Sequence, residues 1–112
     1  MNMEKDILER YLWILCNDFV VDRRPGIVYI PQDKKVGICG FYDAKTEAII
    51  MFLFDYRALI HEFTHHLQYE RCGYDYEKYI REIRKEKNKL YLTRSYEIEA
   101  CYVEQALSSI YE

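Results

Sequence analysis

Proline and glycine are scarce, with two and four copies among 112 residues. No segment repeats, no tract is of low complexity and no linker divides the chain, so one domain spanning residues 1–112 is expected. Asn, Gln, Ser and Thr occur three times each, against plentiful Lys, Arg, Glu and Tyr. That bias leans towards a thermophile. Long apolar runs are also missing. The longest, Ala48–Phe54, falls far short of the ~20 residues that span a bilayer. The Met1–Asp6 start has no basic region followed by an apolar stretch, so no signal peptide and an intracellular (cytoplasmic) location are expected. Neither sign of charge dominates: the net value is −3. No global field draws the chain to nucleic acid or an acidic membrane, and neither is expected as a partner. The four cysteines, Cys16, Cys39, Cys72 and Cys101, form no Cys-x-x-Cys pair. This excludes a zinc ribbon or a thioredoxin-like motif. They read as reduced, half-buried small apolar residues.

What is present argues for a packed globule. Half of the residues are hydrophobic, and 12 Tyr and 5 Phe supply large side chains to a core. Over Met3–Phe19, residues Ile7, Leu8, Tyr11, Leu12, Leu15 and Phe19 recur at helical spacing. Asn2 can cap that helix. A turn at Asp22–Gly26 leads to a short strand, Ile27–Ile30, closed by Pro31. Val36–Tyr42 and Glu47–Phe54 flank Asp43–Thr46 as a hairpin, and the second of these is apolar enough for an interior strand. Gly37 and Gly40 suggest a bulge or a close backbone approach in the first. Asp75–Leu92 reads as a polar helix. Thr93–Tyr111 reads as a helix with Tyr96, Ala100, Val103, Ala106, Leu107 and Ile110 in one stripe.

The chemistry gathers in Leu59–Gln68, which holds His61-Glu62-Phe63-Thr64-His65. Asp55 as N-cap and Gly73 as C-terminal stop bound a helix over roughly Tyr56–Cys72. Positions i and i+4 of a helix lie about 40° apart around its axis. His61 and His65 therefore share a face and can share a metal ion, for which Zn²⁺ is the natural candidate. Glu62, about 100° from His61, stands where a general base would act on water. His66 is about 140° from His61 and is not expected on the same metal.

A catalytic zinc site ordinarily takes three protein ligands and leaves a position for water. No histidine remains, so the third ligand is expected to be an acid: Glu97, Glu99 or Glu104. Glu99 falls within the apolar stripe, between Tyr96 and Val103. A carboxylate against a core is costly unless paired or metal-bound, which favours Glu99 as ligand, with Glu97 the alternative.

These motifs resemble the zincin metallopeptidases of the small glutamate-zincin type. His61-Glu62-Phe63-Thr64-His65 matches the HExxH signature, and Glu99-Ala100 on a following helix resembles the Glu-Ala signature of ImmA/IrrE-like peptidases. The order of elements is similar over most of the chain. The resemblance implies zinc on His61, His65 and Glu99, with Glu62 as base. Gln68 and Arg71 stand where the metzincin extension needs glycine and histidine. Val103 stands where the thermolysin-like pattern has an aspartate. The partners of the two histidines are therefore left open.

The expected fold is α+β, a minimal zincin-like layout. It has an N-terminal helix, a small three-stranded and mostly antiparallel sheet, the HExxH helix and a C-terminal glutamate helix. The expected activity is zinc-dependent hydrolysis of a peptide or protein substrate, held as an extra strand along an edge such as Val36–Tyr42. Tyr69, Tyr96, Tyr102 and Arg94 are candidates to steady the oxyanion. Two other readings stand beside it. One is an inactive, zinc-stabilised binding module that contacts a protein or nucleic acid through basic segment 78–94. The other is a helical scaffold without metal.

Overall fold

The computed structural model describes residues 3–31, 38–90 and 94–111. The fold is α+β: the described residues form four helices and a three-stranded mixed sheet. Helix α1 spans Met3–Asp18 and buries Leu8, Leu12, Leu15 and Cys16, one apolar line at helical spacing. The cap expected at Asn2 and the strand and glycine expectations at Val36 and Gly37 lie outside the described residues, as does Thr93.

Strands β1 (Gly26–Tyr29), β2 (Gly40–Asp43) and β3 (Ala48–Met51) lie in the order β1-β3-β2. The apolar strand β3 is central and hydrogen-bonded on both sides. It pairs antiparallel with β2, Phe41 opposite Ile50, and parallel with β1, Val28 opposite Ile50. The expectation of a mostly antiparallel sheet is thus corrected to one pair of each kind. The chain passes from β1 to the far side of the sheet, makes β2, and turns through 44–47 to insert β3 between them. That route leaves β1 and β3 running the same way. Strand β2 is an edge and is shorter than Val36–Tyr42. Gly40 is required where β2 meets β3, because a Cβ there would lie 2.5 Å from the Ile50 carbonyl oxygen.

Helix α2 (Tyr56–Arg71) runs through the middle of the molecule. Asp55 caps it, its carboxylate accepting from the Arg57 N–H at 2.9 Å and the Ala58 N–H at 3.4 Å. At its other end Gly73, with φ of 70°, lets the Gly73 and Tyr74 amides turn back to the Glu70 and Tyr69 carbonyls. Leu59, Ile60 and Phe63 face α1 and β3, completing a core with Leu8, Leu15, Ile49 and Met51. The opposite side of α2, carrying the histidines, packs on α4 (Ser95–Tyr111).

The expected helix over Asp75–Leu92 is shorter. Helix α3 covers Tyr76–Arg84, capped by Asp75, and turns follow through 88. Tyr79 is its buried anchor, packed against Tyr69 with ring centroids 5.2 Å apart. No helix among the described residues is long and apolar enough to cross a membrane.

Candidate metal centre

The one-turn spacing of His61 and His65 on α2 sets their rings 5.2 Å apart, edge to face. Helix α4 brings one carboxylate to both. Glu97 Oε1 lies 3.3 Å from His61 Nε2 and 2.6 Å from His65 Nε2. Ligand atoms of His61, His65 and Glu97 all fall within 4.8 Å of one another. Zinc bonds of about 2.0–2.2 Å in a tetrahedral arrangement place ligand atoms about 3.3 Å apart. The donor set, two neutral-capable nitrogens and one carboxylate oxygen, fits that ion.

The structure brings Glu97 to the histidines and does not bring Glu99. This corrects the assignment of Glu99 as third ligand. The Glu99 carboxylate instead meets the Arg71 guanidinium through both of its oxygens and accepts from Gln68 Nε2 at 2.8 Å. Burial works against its ionisation, but the hydrogen bonds from Arg71 and Gln68 prevail and hold its pKa below the usual value. The misassignment is one of helix phase. The face that α4 turns inward carries Glu97, Ala100 and Ser108, while Ala106 of the supposed stripe is exposed. Glu97 and Glu104 are seven residues apart, two turns of a helix and therefore one face. That spacing was the signal to follow.

Glu104 supplies a partner that the sequence left open. Its Oε1 lies 3.1 Å from His61 Nδ1, and its Oε2 lies 3.7 Å from Arg57 Nε. His65 Nδ1 has a different partner, Gln68 Oε1 at 2.8 Å. Each of the two imidazoles that face Glu97 is thus held through its second nitrogen, an arrangement common among metal-binding histidines. Burial opposes protonation of both rings, but hydrogen bonding to Glu97, with added help from Glu62, raises both pKa values.

Glu62 is 9% exposed. Burial raises its pKa to about 7, against the opposing pull of His65 and His61. It lines both clefts that flank the three residues. One, of about 570 Å³, includes Cys39, Arg57, His61 and Glu104. The other, of about 210 Å³, includes Tyr42, Tyr79, Ile83, Tyr96, His65 and Glu97. Gly40 lines both as well, so the edge of β2 runs past the centre.

His66 takes no part. Its Nε2 donates to the Arg23 carbonyl at 2.7 Å, so Nδ1 must accept from the Tyr42 hydroxyl, also at 2.7 Å. Burial lowers its pKa, as suits a neutral ring tying α2 to β2. Among the four oxyanion candidates, Tyr96 lines the smaller cleft, its ring 6.1 Å from that of His65. Arg94 Nη1 lies 3.5 Å from the Tyr96 hydroxyl. Tyr69 donates to the Tyr74 carbonyl, and Tyr102 is 72% exposed. Comparison with protein-family models, curated proteins and solved structures finds no match for this chain.

Proposed function

We propose that the chain is a zinc-dependent metallopeptidase of the HExxH type, resembling the ImmA/IrrE-like peptidase domain and acting on a peptide or protein substrate. One observation carries this reading. Two imidazole nitrogens and a carboxylate oxygen converge within 4.8 Å, beside a buried glutamate whose pKa is raised to about 7.

His61, His65 and Glu97 would hold the ion. When bound, zinc acidifies water and polarises a carbonyl. Glu62 does the proton work. With a pKa near neutrality it is available as carboxylate to take a proton from the attacking water and then as acid to give it to the leaving amine. The β2 edge offers backbone groups to an extended peptide lying along the clefts. Tyr96 stands beside His65 as the hydroxyl available to an oxyanion. All four cysteines are free thiols, which suits an intracellular setting.

The test uses protein purified without chelator or metal-affinity resin. Elemental analysis is expected to give one zinc per chain. Cleavage of an unfolded protein should stop on chelation and return with zinc. Protein that neither contains nor takes up zinc sinks the reading. Full zinc with no cleavage of any peptide in a broad library leaves the zinc-stabilised binding module as the better account.

A further inference from the structure

Gln68 has three polar partners, and their chemistry fixes which way its amide points. Its Nε2 lies 2.8 Å from Glu99 Oε1 and 2.9 Å from the Tyr96 carbonyl oxygen. A carboxylate and a carbonyl only accept, so the NH₂ group must face them. The reverse orientation would set an amide oxygen against two other oxygens. Oε1 is left facing His65 Nδ1 at 2.8 Å. An amide oxygen cannot donate, so the hydrogen sits on Nδ1. With an ion bound, the Nε2 lone pair is then the one left to ligate it; without the ion, the Glu97 oxygen 2.6 Å from Nε2 draws a second hydrogen there. Arg71 grips both oxygens of Glu99, which keeps that carboxylate ionised and turned towards Gln68.

The geometry points to Gln68 as a positioning residue that locks His65 in its Nε2-ligating form, with Glu99 and Arg71 locking Gln68 in turn. The inference rests on the reading of His61, His65 and Glu97 as a metal site. It also gives a role to Glu99: it holds the metal centre at one remove, through an amide. His61 is held separately by Glu104, so the two ligands have independent supports.

The test combines zinc affinity, measured by chelator competition, with ¹⁵N NMR of the His65 ring. Gln68→Leu removes the acceptor. It is expected to weaken zinc binding by about 10–100-fold, the usual effect of losing such a support, and to remove the hydrogen-bonded Nδ1–H signal. The double variant Gln68→Glu/Glu99→Gln exchanges carboxylate and amide. An acceptor still faces Nδ1 and a donor still lies between the two side chains, but the second carboxylate oxygen now meets the Tyr96 carbonyl in place of a donor, so the Nδ1–H signal should return and affinity should recover in part. Zinc affinity unchanged in Gln68→Leu overturns the inference. So does an exchanged variant whose site is no tighter than that of Gln68→Leu although its Nδ1–H signal is restored. If Gln68→Leu does not fold, the exchanged variant decides alone. If the wild type takes up no zinc, the metallopeptidase reading fails. The metal-free spectrum then decides the Gln68 contact by itself: an Nδ1–H signal that is absent, or that persists unchanged in Gln68→Leu, overturns it, and one lost with Gln68→Leu upholds the contact without its metal role.

Discussion

Glu97 Oε1 stands 2.6 Å from His65 Nε2, on a side chain only 3% exposed. A buried carboxylate needs a cationic or hydrogen-bonding partner, and here two ring nitrogens lie within 3.3 Å of one of its oxygens. Glu97→Gln should therefore reduce zinc affinity far more than Glu99→Gln does. The same chelator competition measures both variants. Equal losses, or a larger loss for Glu99→Gln, would remove Glu97 from the ligand set.

Glu62 separates proton transfer from metal binding. Glu62→Gln preserves shape and volume but cannot take a proton at neutral pH. Zinc content and melting temperature should stay close to wild type, while turnover falls by about 10²–10⁴-fold, the contribution of a positioned acid–base group. A variant that loses its zinc would make Glu62 a ligand.

Acid sensitivity should depend on Glu86. Its carboxylate accepts from the Ser95 hydroxyl, from the Ser95 backbone N–H at 3.0 Å, and from Lys89 Nζ at 3.0 Å. These bonds at the start of α4 pull its pKa from 4.5 down to about 2. The folded state thus resists a proton that the unfolded chain accepts. Stability from this group is complete above pH 4.5 and is lost as pH falls towards 2. Glu86→Gln should lower the melting temperature at neutral pH and flatten its decline below pH 4.5. Parallel acid melting curves for the two proteins would contradict this.

Gly40 controls the contact between β2 and β3. Gly40→Ala would press a methyl group against the Ile50 carbonyl oxygen. The expected loss is about 1–3 kcal/mol, typical of overpacking. Amide exchange should rise first at Phe41 and Tyr42, next to the clefts. Unchanged stability in denaturant would show that the backbone gives way freely there.

The apolar side of α2 offers a metal-independent control. Phe63 is fully buried, with its ring 5.6 Å from that of Phe19. Phe63→Ala should cost about 3–5 kcal/mol, in metal-free protein as in loaded protein. A loss seen only when zinc is present would mean that α2 is ordered by the metal and not by its core.

Much of this architecture is local enough to read from the chain. Leu8, Leu12 and Leu15 repeat with the helical period and are buried as that period requires. Asp55 and Gly73 mark the ends of α2 because capping is a property of neighbouring backbone groups. The unbroken apolar run that opens with β3 indicates its central place. The parallel pairing of β1 with β3 is not written in either strand. It depends on where the chain crosses the sheet.

The sequence by itself determined that two histidines share a face of one helix, with a glutamate beside them, because one turn of helix is enough to do so. Tertiary structure alone decided which carboxylate meets them. Glu97 is 36 residues from His61 and two positions before Glu99, about 200° away around the helix. The choice follows from how α4 is rotated against α2. Ala100, Val103 and Leu107 of the apolar stripe do pack inward, but the buried face is turned from the stripe's centre towards Glu97 and away from Ala106 and Glu99. The surface it meets is the polar seam of His61, His65 and Gln68, so the inward face of α4 carries carboxylates.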